Sequence, residues 1–206
     1  MKPFSLSVSG ALLSVSLAAP ALADDTRQVS VAPVPSFVEE ASAAGIEHSY
    51  DGAWEFFVGG GTAIFDCDGD RKPDLFFAGG KNPAQLFRNE SRVAGPLKFT
   101  AVETGLNEKQ ATGVLGAYPL DINNDDILDL VVLRLGENLI LEGKGACTFE
   151  VANRALGFDG GREWSTSFSA TYEAGLDYPT LAFGNYVDRS APGSPWGTCH
   201  DNFLFR

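Results

Sequence analysis

Three stretches of this chain share one layout, and that repetition limits the fold more than any other feature. Each has an apolar strand, a nine-residue loop and a second apolar strand. The first is Gly60-Gly61-Thr62-Ala63-Ile64-Phe65, loop 66–74, then Leu75-Phe76-Phe77-Ala78-Gly79. The second is Leu115-Gly116-Ala117-Tyr118-Pro119-Leu120, loop 121–129, then Leu130-Val131-Val132-Leu133. The third is Thr166-Ser167-Phe168-Ser169-Ala170-Thr171, loop 172–180, then Leu181-Ala182-Phe183-Gly184. A further strand recurs as Gln85-Leu86-Phe87-Arg88, Asn138-Leu139-Ile140-Leu141 and Phe203-Leu204-Phe205-Arg206. A fourth element, a Phe with a Gly some residues on, recurs at Phe37…Gly45, Phe99…Gly105 and Phe149…Gly157. Short β-branched or aromatic runs bounded by Gly, Asn and Asp form strands. Four of them per roughly 50-residue unit predict all-β propeller blades, about three in number. The competing architecture, a three-repeat solenoid, usually has shorter repeats.

The chain stops at Arg206, just after the third strand of the third unit. Propellers close with about 4–8 blades, and an open array leaves strand edges unpaired. The expectation is therefore an N-terminal piece of a longer protein, with closure by oligomerisation as the alternative. Residues 1–23 stand outside this pattern. Lys2, an apolar stretch over 4–19 and the small-x-small site Ala21-Leu22-Ala23 form a secretory signal peptide, leaving 24–206 as the exported, propeller-forming chain.

The first two loops carry chemistry. Asp66-Cys67-Asp68-Gly69-Asp70-Arg71-Lys72-Pro73-Asp74 places carboxylates at loop positions 1, 3, 5 and 9. Asp121-Ile122-Asn123-Asn124-Asp125-Asp126-Ile127-Leu128-Asp129 places Asp121, Asn123, Asp125 and Asp129 there. In a tightly curled loop, alternate residues point inward. Position 7, Lys72 or Ile127, then offers its backbone carbonyl, and its side chain is idle. Hard oxygen donors on a flexible loop suit Ca²⁺. Converging carboxylates resist ionisation unless a cation neutralises them, which argues against ordinary polar turns. An EF-hand would need Glu at position 12, where Phe77 or Val132 stands inside a strand. Position 6, which often needs the left-handed conformation, holds Arg71 and Asp126. The third loop has Tyr172, Ala174, Leu176 and Thr180 at the ligand positions and is expected to fold without metal.

Charge and cysteines narrow the partners. A net charge of −12 gives a nucleic-acid backbone no basic patch to meet. No later segment approaches a membrane span. Export permits a disulfide among Cys67, Cys147 and Cys199, with one thiol left over or paired outside the chain. Cys147–Cys199 is one candidate, because Cys67 sits inside an ion loop.

Asp66-x-Asp68-Gly69-Asp70-x-x-x-Asp74 followed by Leu75-Phe76-Phe77 resembles the FG-GAP/VCBS repeat, the calcium-binding blade motif of integrin α-chain propellers. The wider spacing of Ala44-Gly45-Ile46…His48, Phe57-Val58-Gly59-Gly60-Gly61, Leu86-Phe87-Arg88-Asn89 and Trp164-Ser165-Thr166-Ser167 before Gly184-Asn185-Tyr186 resembles bacterial relatives of cartilage acidic protein. The likeness covers nearly all of residues 35–206. It implies seven blades, export and calcium ligands at Asp66, Asp68, Asp70, Asp74, Asp121, Asn123, Asp125 and Asp129. It implies no shared enzymatic activity.

The leading expectation is a secreted or periplasmic calcium-binding scaffold, non-catalytic, engaging a protein or polysaccharide. The alternative is a propeller-type polysaccharide lyase or hydrolase segment using His48, Glu55, Glu163 or His200; a pocket joining either histidine with two carboxylates would favour it. Ser165 and Ser167 begin a strand and carry no such expectation. A third expectation is a structural piece of an adhesin or envelope assembly, marked by exposed aromatics such as Trp54, Phe56 and Phe57, although aromatics beside a Gly run more often pack in a core. Residues 189–198 form a long irregular loop.

Overall fold

The computed structural model describes residues 34–194 and 197–206. Residues 1–23, expected from the sequence to be a signal peptide, lie outside the described residues. Residues 39–206 form one unit of three antiparallel sheets. The first runs β1 (Thr62–Phe65), β2 (Asp74–Phe77), β3 (Gln85–Asn89) and β4 (Phe99–Val102), each paired with the next. The second repeats that order with β5 (Val114–Leu120), β6 (Asp129–Arg134), β7 (Leu139–Gly143) and β8 (Phe149–Val151). The third holds β9 (Ser165–Thr171), β10 (Thr180–Asn185) and β11 (Phe203–Phe205). These are propeller blades, and the strands predicted on either side of the three loops fall where expected, whereas the Phe37–Gly45 element forms no strand and leaves Phe37 exposed. The third sheet has three strands among the described residues, one fewer than the repeat predicts.

Burial explains why the strands differ in composition. In β6 the four residues Leu130 to Leu133 are all buried, because the middle blade is covered on both sides. Leu130 and Val132 join a cluster with Phe76, Leu86 and Phe149, whereas Val131 and Leu133 join one with Leu181, Phe183 and Phe158. In β1, by contrast, exposed and buried residues alternate. The first strands of neighbouring blades approach closely. The Gly61 amide donates to the Leu115 carbonyl at 2.9 Å, and a Cβ on Gly61 would stand 2.8 Å from the Gly116 Cα. A side chain there would force the blades apart.

The recurring Phe–Gly pair has a structural cause. Gly105, at φ +75°, lies under the Phe149 carbonyl of the next blade, and Gly45, at φ +86°, lies under that of Phe99. Each glycine thus seats the outer strand of the following unit. A short helix, α1 (Glu108–Ala111), links the first two blades. It begins with a reciprocal cap in which Asn107 accepts from the Gln110 amide and Gln110 accepts from that of Asn107.

The disulfide joins Cys67 to Cys147, which corrects the Cys147–Cys199 pairing. Cys67 points into the core from loop position 2, and its carbonyl accepts the Cys147 amide at 3.0 Å from the adjoining blade. Ion-loop membership therefore does not keep Cys67 from bonding, because odd loop positions face the ligand side and position 2 faces inward. Cys199 is exposed and unpaired.

Candidate metal centre

Both aspartate-rich loops leave the same edge of their blades, connecting β1 to β2 and β5 to β6. Three of their hydrogen bonds share a register, position 6 to 1, 5 to 3 and 7 to 5, while the second amide on position 1 comes from position 4 in one loop and position 5 in the other. In the first, Asp66 accepts the amides of Gly69 and Arg71, Asp68 that of Asp70, and Asp70 that of Lys72. In the second, Asp121 accepts the amides of Asp125 and Asp126, Asn123 that of Asp125, and Asp125 that of Ile127. Position 6 is left-handed in both, with Arg71 at φ 66° and Asp126 at 65°. Position 4 is left-handed as well, in Gly69 and Asn124, which explains the glycine found there.

Position 9 is built differently from the rest. Asp74 and Asp129 are the first residues of β2 and β6 and are almost fully buried. Asp74 accepts the amides of Cys67 and Asn89, each at 2.8 Å. Asp129 accepts those of Ile122 and Gly143, also at 2.8 Å. Burial, and then repulsion from the other loop carboxylates, raises the pKa of both groups, against the pull of those amides. A raised folded value means that ionisation weighs on the fold once the pH passes it, and a bound cation would relieve that strain.

In the first loop, Asp66, Asp68 and Asp74 bring one oxygen each within 4.8 Å of one another. Asp70 instead holds the Lys72 ammonium at 2.5 Å, so the side chain at position 7 is not idle. A divalent ion taking Asp70 as a ligand must displace that ammonium. In the second loop the Asn123 amide donates to Asp125 at 2.9 Å, and Ile127 at position 7 brings no competing charge. The donor sets of both loops fit a hard cation of the Ca²⁺ type. The third loop closes through protein contacts: Tyr172 donates to the Asp121 carbonyl, and the Asp177 carbonyl accepts the Asn124 amide. It thereby braces the second loop.

Of the other sequence candidates, His48 stands apart, whereas His200 and Glu163 line one cavity with Asp188, the grouping of a histidine with two carboxylates expected of the enzymatic alternative, and Glu55 pairs with Arg189 of the same cavity. His48 stacks on Phe77 with ring centroids 5.5 Å apart and lies 3.4 Å from the Pro83 carbonyl. Glu55, Glu163 and His200 lie on the opposite edge of the blades from the ion loops. Trp54, Phe56 and Phe57 are not core residues; Phe57 is 83% exposed.

Blades joined at their first strands, two of them opening on a ligand-spaced aspartate loop, define a class of repeat protein. Residues 66–132 match the FG-GAP-like repeat family model, a span that runs from the first aspartate of one loop to three residues past the last aspartate of the other. The chain therefore carries FG-GAP-like repeat sequence over its first two loops. A comparison with curated proteins finds no match.

Proposed function

We propose that this protein is an exported, non-catalytic calcium-binding propeller scaffold that presents its loops to a protein or glycan. The observation that carries the reading is the set of hydrogen bonds common to the two aspartate loops, position 6 to 1, 5 to 3 and 7 to 5, with Asp66, Asp68 and Asp74 converging in one of them. Asp66, Asp68, Asp70, Asp74 and the Lys72 carbonyl would hold one ion. Asp121, Asn123, Asp125, Asp129 and the Ile127 carbonyl would hold the other. Calcium supplies charge neutralisation there and rigidifies the loops. Export is supported by the signal-like residues 1–23 and by the Cys67–Cys147 disulfide, which suits an oxidising compartment. Among the described residues, no helix is long and apolar enough to cross a membrane. The likeness to bacterial relatives of cartilage acidic protein fits this reading and rests on the sequence spacing alone.

Thermal unfolding in 1 mM Ca²⁺ and in EGTA tests it. With extracellular-type dissociation constants of roughly 10⁻⁴–10⁻³ M, each site should stabilise the fold by about 0.4–1.4 kcal/mol at that concentration. Asp121→Ala with Asp125→Ala should remove the second site's share. A cooperative melt indifferent to calcium would sink the metal assignment.

A further inference from the structure

We infer a second binding site, for a neutral sugar residue, in a cavity of about 360 Å³ on the blade edge opposite the ion loops. It deepens the glycan half of the proposed function and rests on that reading for its biological sense, but not on the calcium loops. Glu163, Trp164, Asp188, Arg189, Ser190 and His200 line it. The volume lies in the lower part of the roughly 300–1,000 Å³ range of small-molecule sites.

Two of the lining residues have a buried polar atom without a hydrogen-bond partner, Trp164 Nε1 and His200 Nδ1, and Glu55, which is tied to the lining residue Arg189, has a third at Oε2. Trp164 is only 2% exposed, so its unpaired N–H costs stability unless something accepts it. Glu55 uses its other oxygen on Arg189, 3.1 Å away. The surrounding structure holds these groups firmly. The Trp164 carbonyl accepts the Tyr186 amide, and Ser165 bridges Asn138 and Asn185 at 2.7 Å on each side. Asn185 in turn donates to the Asp201 carbonyl, next to His200.

The chemistry selects the ligand. The indole can only donate, whereas the carboxyl oxygens of Glu163 and Asp188 in the lining can accept, so the ligand must do both. Trp54 and Tyr186 pack edge-on against Trp164, with centroids 5.3 and 5.1 Å away, and stay 43% and 49% exposed. They pack around Trp164 and do not themselves line the cavity, whose aromatic surface is the indole. Glu55, Glu163 and Asp188 oppose an anion, while Arg162 and Arg189 oppose a cation. A neutral ring with hydroxyls on its edge and C–H groups on its face satisfies all of these. His200 Nε2 and Glu163 Oε1 stand 3.9 Å apart, beyond hydrogen-bond reach, with room for a hydroxyl to engage both.

The test is a titration of the full chain with maltose, cellobiose and mannobiose, with glucosamine and galacturonate as charged probes. Tryptophan fluorescence and the imidazole NMR signals are read together; His48→Gln separates the two histidines. At least one neutral disaccharide should give a saturable response that moves the His200 signal, and Glu163→Gln should weaken it about tenfold or more. No saturable response to any neutral sugar, equal binding of the charged probes, or unchanged affinity in Glu163→Gln would overturn the site. If Glu163→Gln does not fold, the His200 shift in the unsubstituted chain still decides. The calcium melt is independent: sugar binding with a calcium-indifferent melt would sink only the calcium reading, and the reverse pattern only this one.

Discussion

Aspartates that look alike in sequence do two different jobs in the loops. The spacing 1, 3, 5, 9 was legible from residue types alone, and the hydrogen-bond register agrees between loops. The spacing could not reveal that position 9 also closes the backbone, because its partners, Asn89 and Gly143, come from the third strand of each sheet. Asp129→Ala should strand two buried amides and cost about 2–5 kcal/mol in urea unfolding even in EGTA. Asp125→Ala, on an exposed residue, should be nearly neutral in EGTA and lose stability only relative to the calcium form. Equal effects in EGTA would refute this division of roles. Lys72 escaped the sequence reading for a similar reason: only the loop's curl brings its ammonium onto Asp70.

Acid sensitivity also has a residue-scale source away from the loops. Glu90 lies between Lys98 and Arg88, which hold its carboxyl down to about 2 from 4.5, Lys98 more strongly. Its folded value is below the unfolded one. The stabilisation is thus complete above about pH 4.5 and is lost as the pH falls toward 2. Unfolding measured across that window should be shallower in pH for Glu90→Gln than for the unsubstituted protein. Because the group is solvent-exposed, the difference should shrink in high salt.

At the scale of the element, the strands were readable because blades demand short apolar runs at a fixed spacing. The continuous run in β6 and the alternation in β1 follow from whether a blade is covered on two faces or one. What the pattern did not disclose is why the Gly after each outer strand recurs. Gly105 and Gly45 each lie against a carbonyl of the next blade's outer strand, whereas a Cβ at Gly157 would meet nothing within 4 Å. All three have positive φ. Alanine at 157 should therefore cost only the left-handed strain, about 1–2 kcal/mol. At 105 a Cβ would stand 2.1 Å from the Phe149 oxygen, adding an overpacking cost of roughly 1–3 kcal/mol. Denaturant midpoints of the two variants, with m-values unchanged, would measure the difference. A Gly105→Ala no worse than Gly157→Ala would show that the blade interface yields easily.

At the scale of the whole unit, two blades are tied by a bond that no strand pattern could foretell. Pairing depends on which turn of one blade reaches which loop of its neighbour, and only the packed core brings the turn before β8 against loop position 2. Cys67 and Cys147 are 80 residues apart in sequence, so the bridge closes a loop holding most of both blades. Loop-closure entropy for that length gives roughly 4–5 kcal/mol of stabilisation. The bridge and the aspartates act on one loop from its two sides, the sulfur at position 2 facing the core and the carboxylates of Asp66 and Asp68 facing away from it. Reduction should lower the unfolding free energy measured in urea and EGTA by that order, with a corresponding fall in the midpoint. Cys67→Ala with Cys147→Ala should reproduce the loss without reductant, while Cys199→Ser, at an exposed unpaired thiol, should leave it unchanged. A reduced protein that unfolds at the same urea concentration as the oxidised one would mean that the core between the first two blades holds without the bridge.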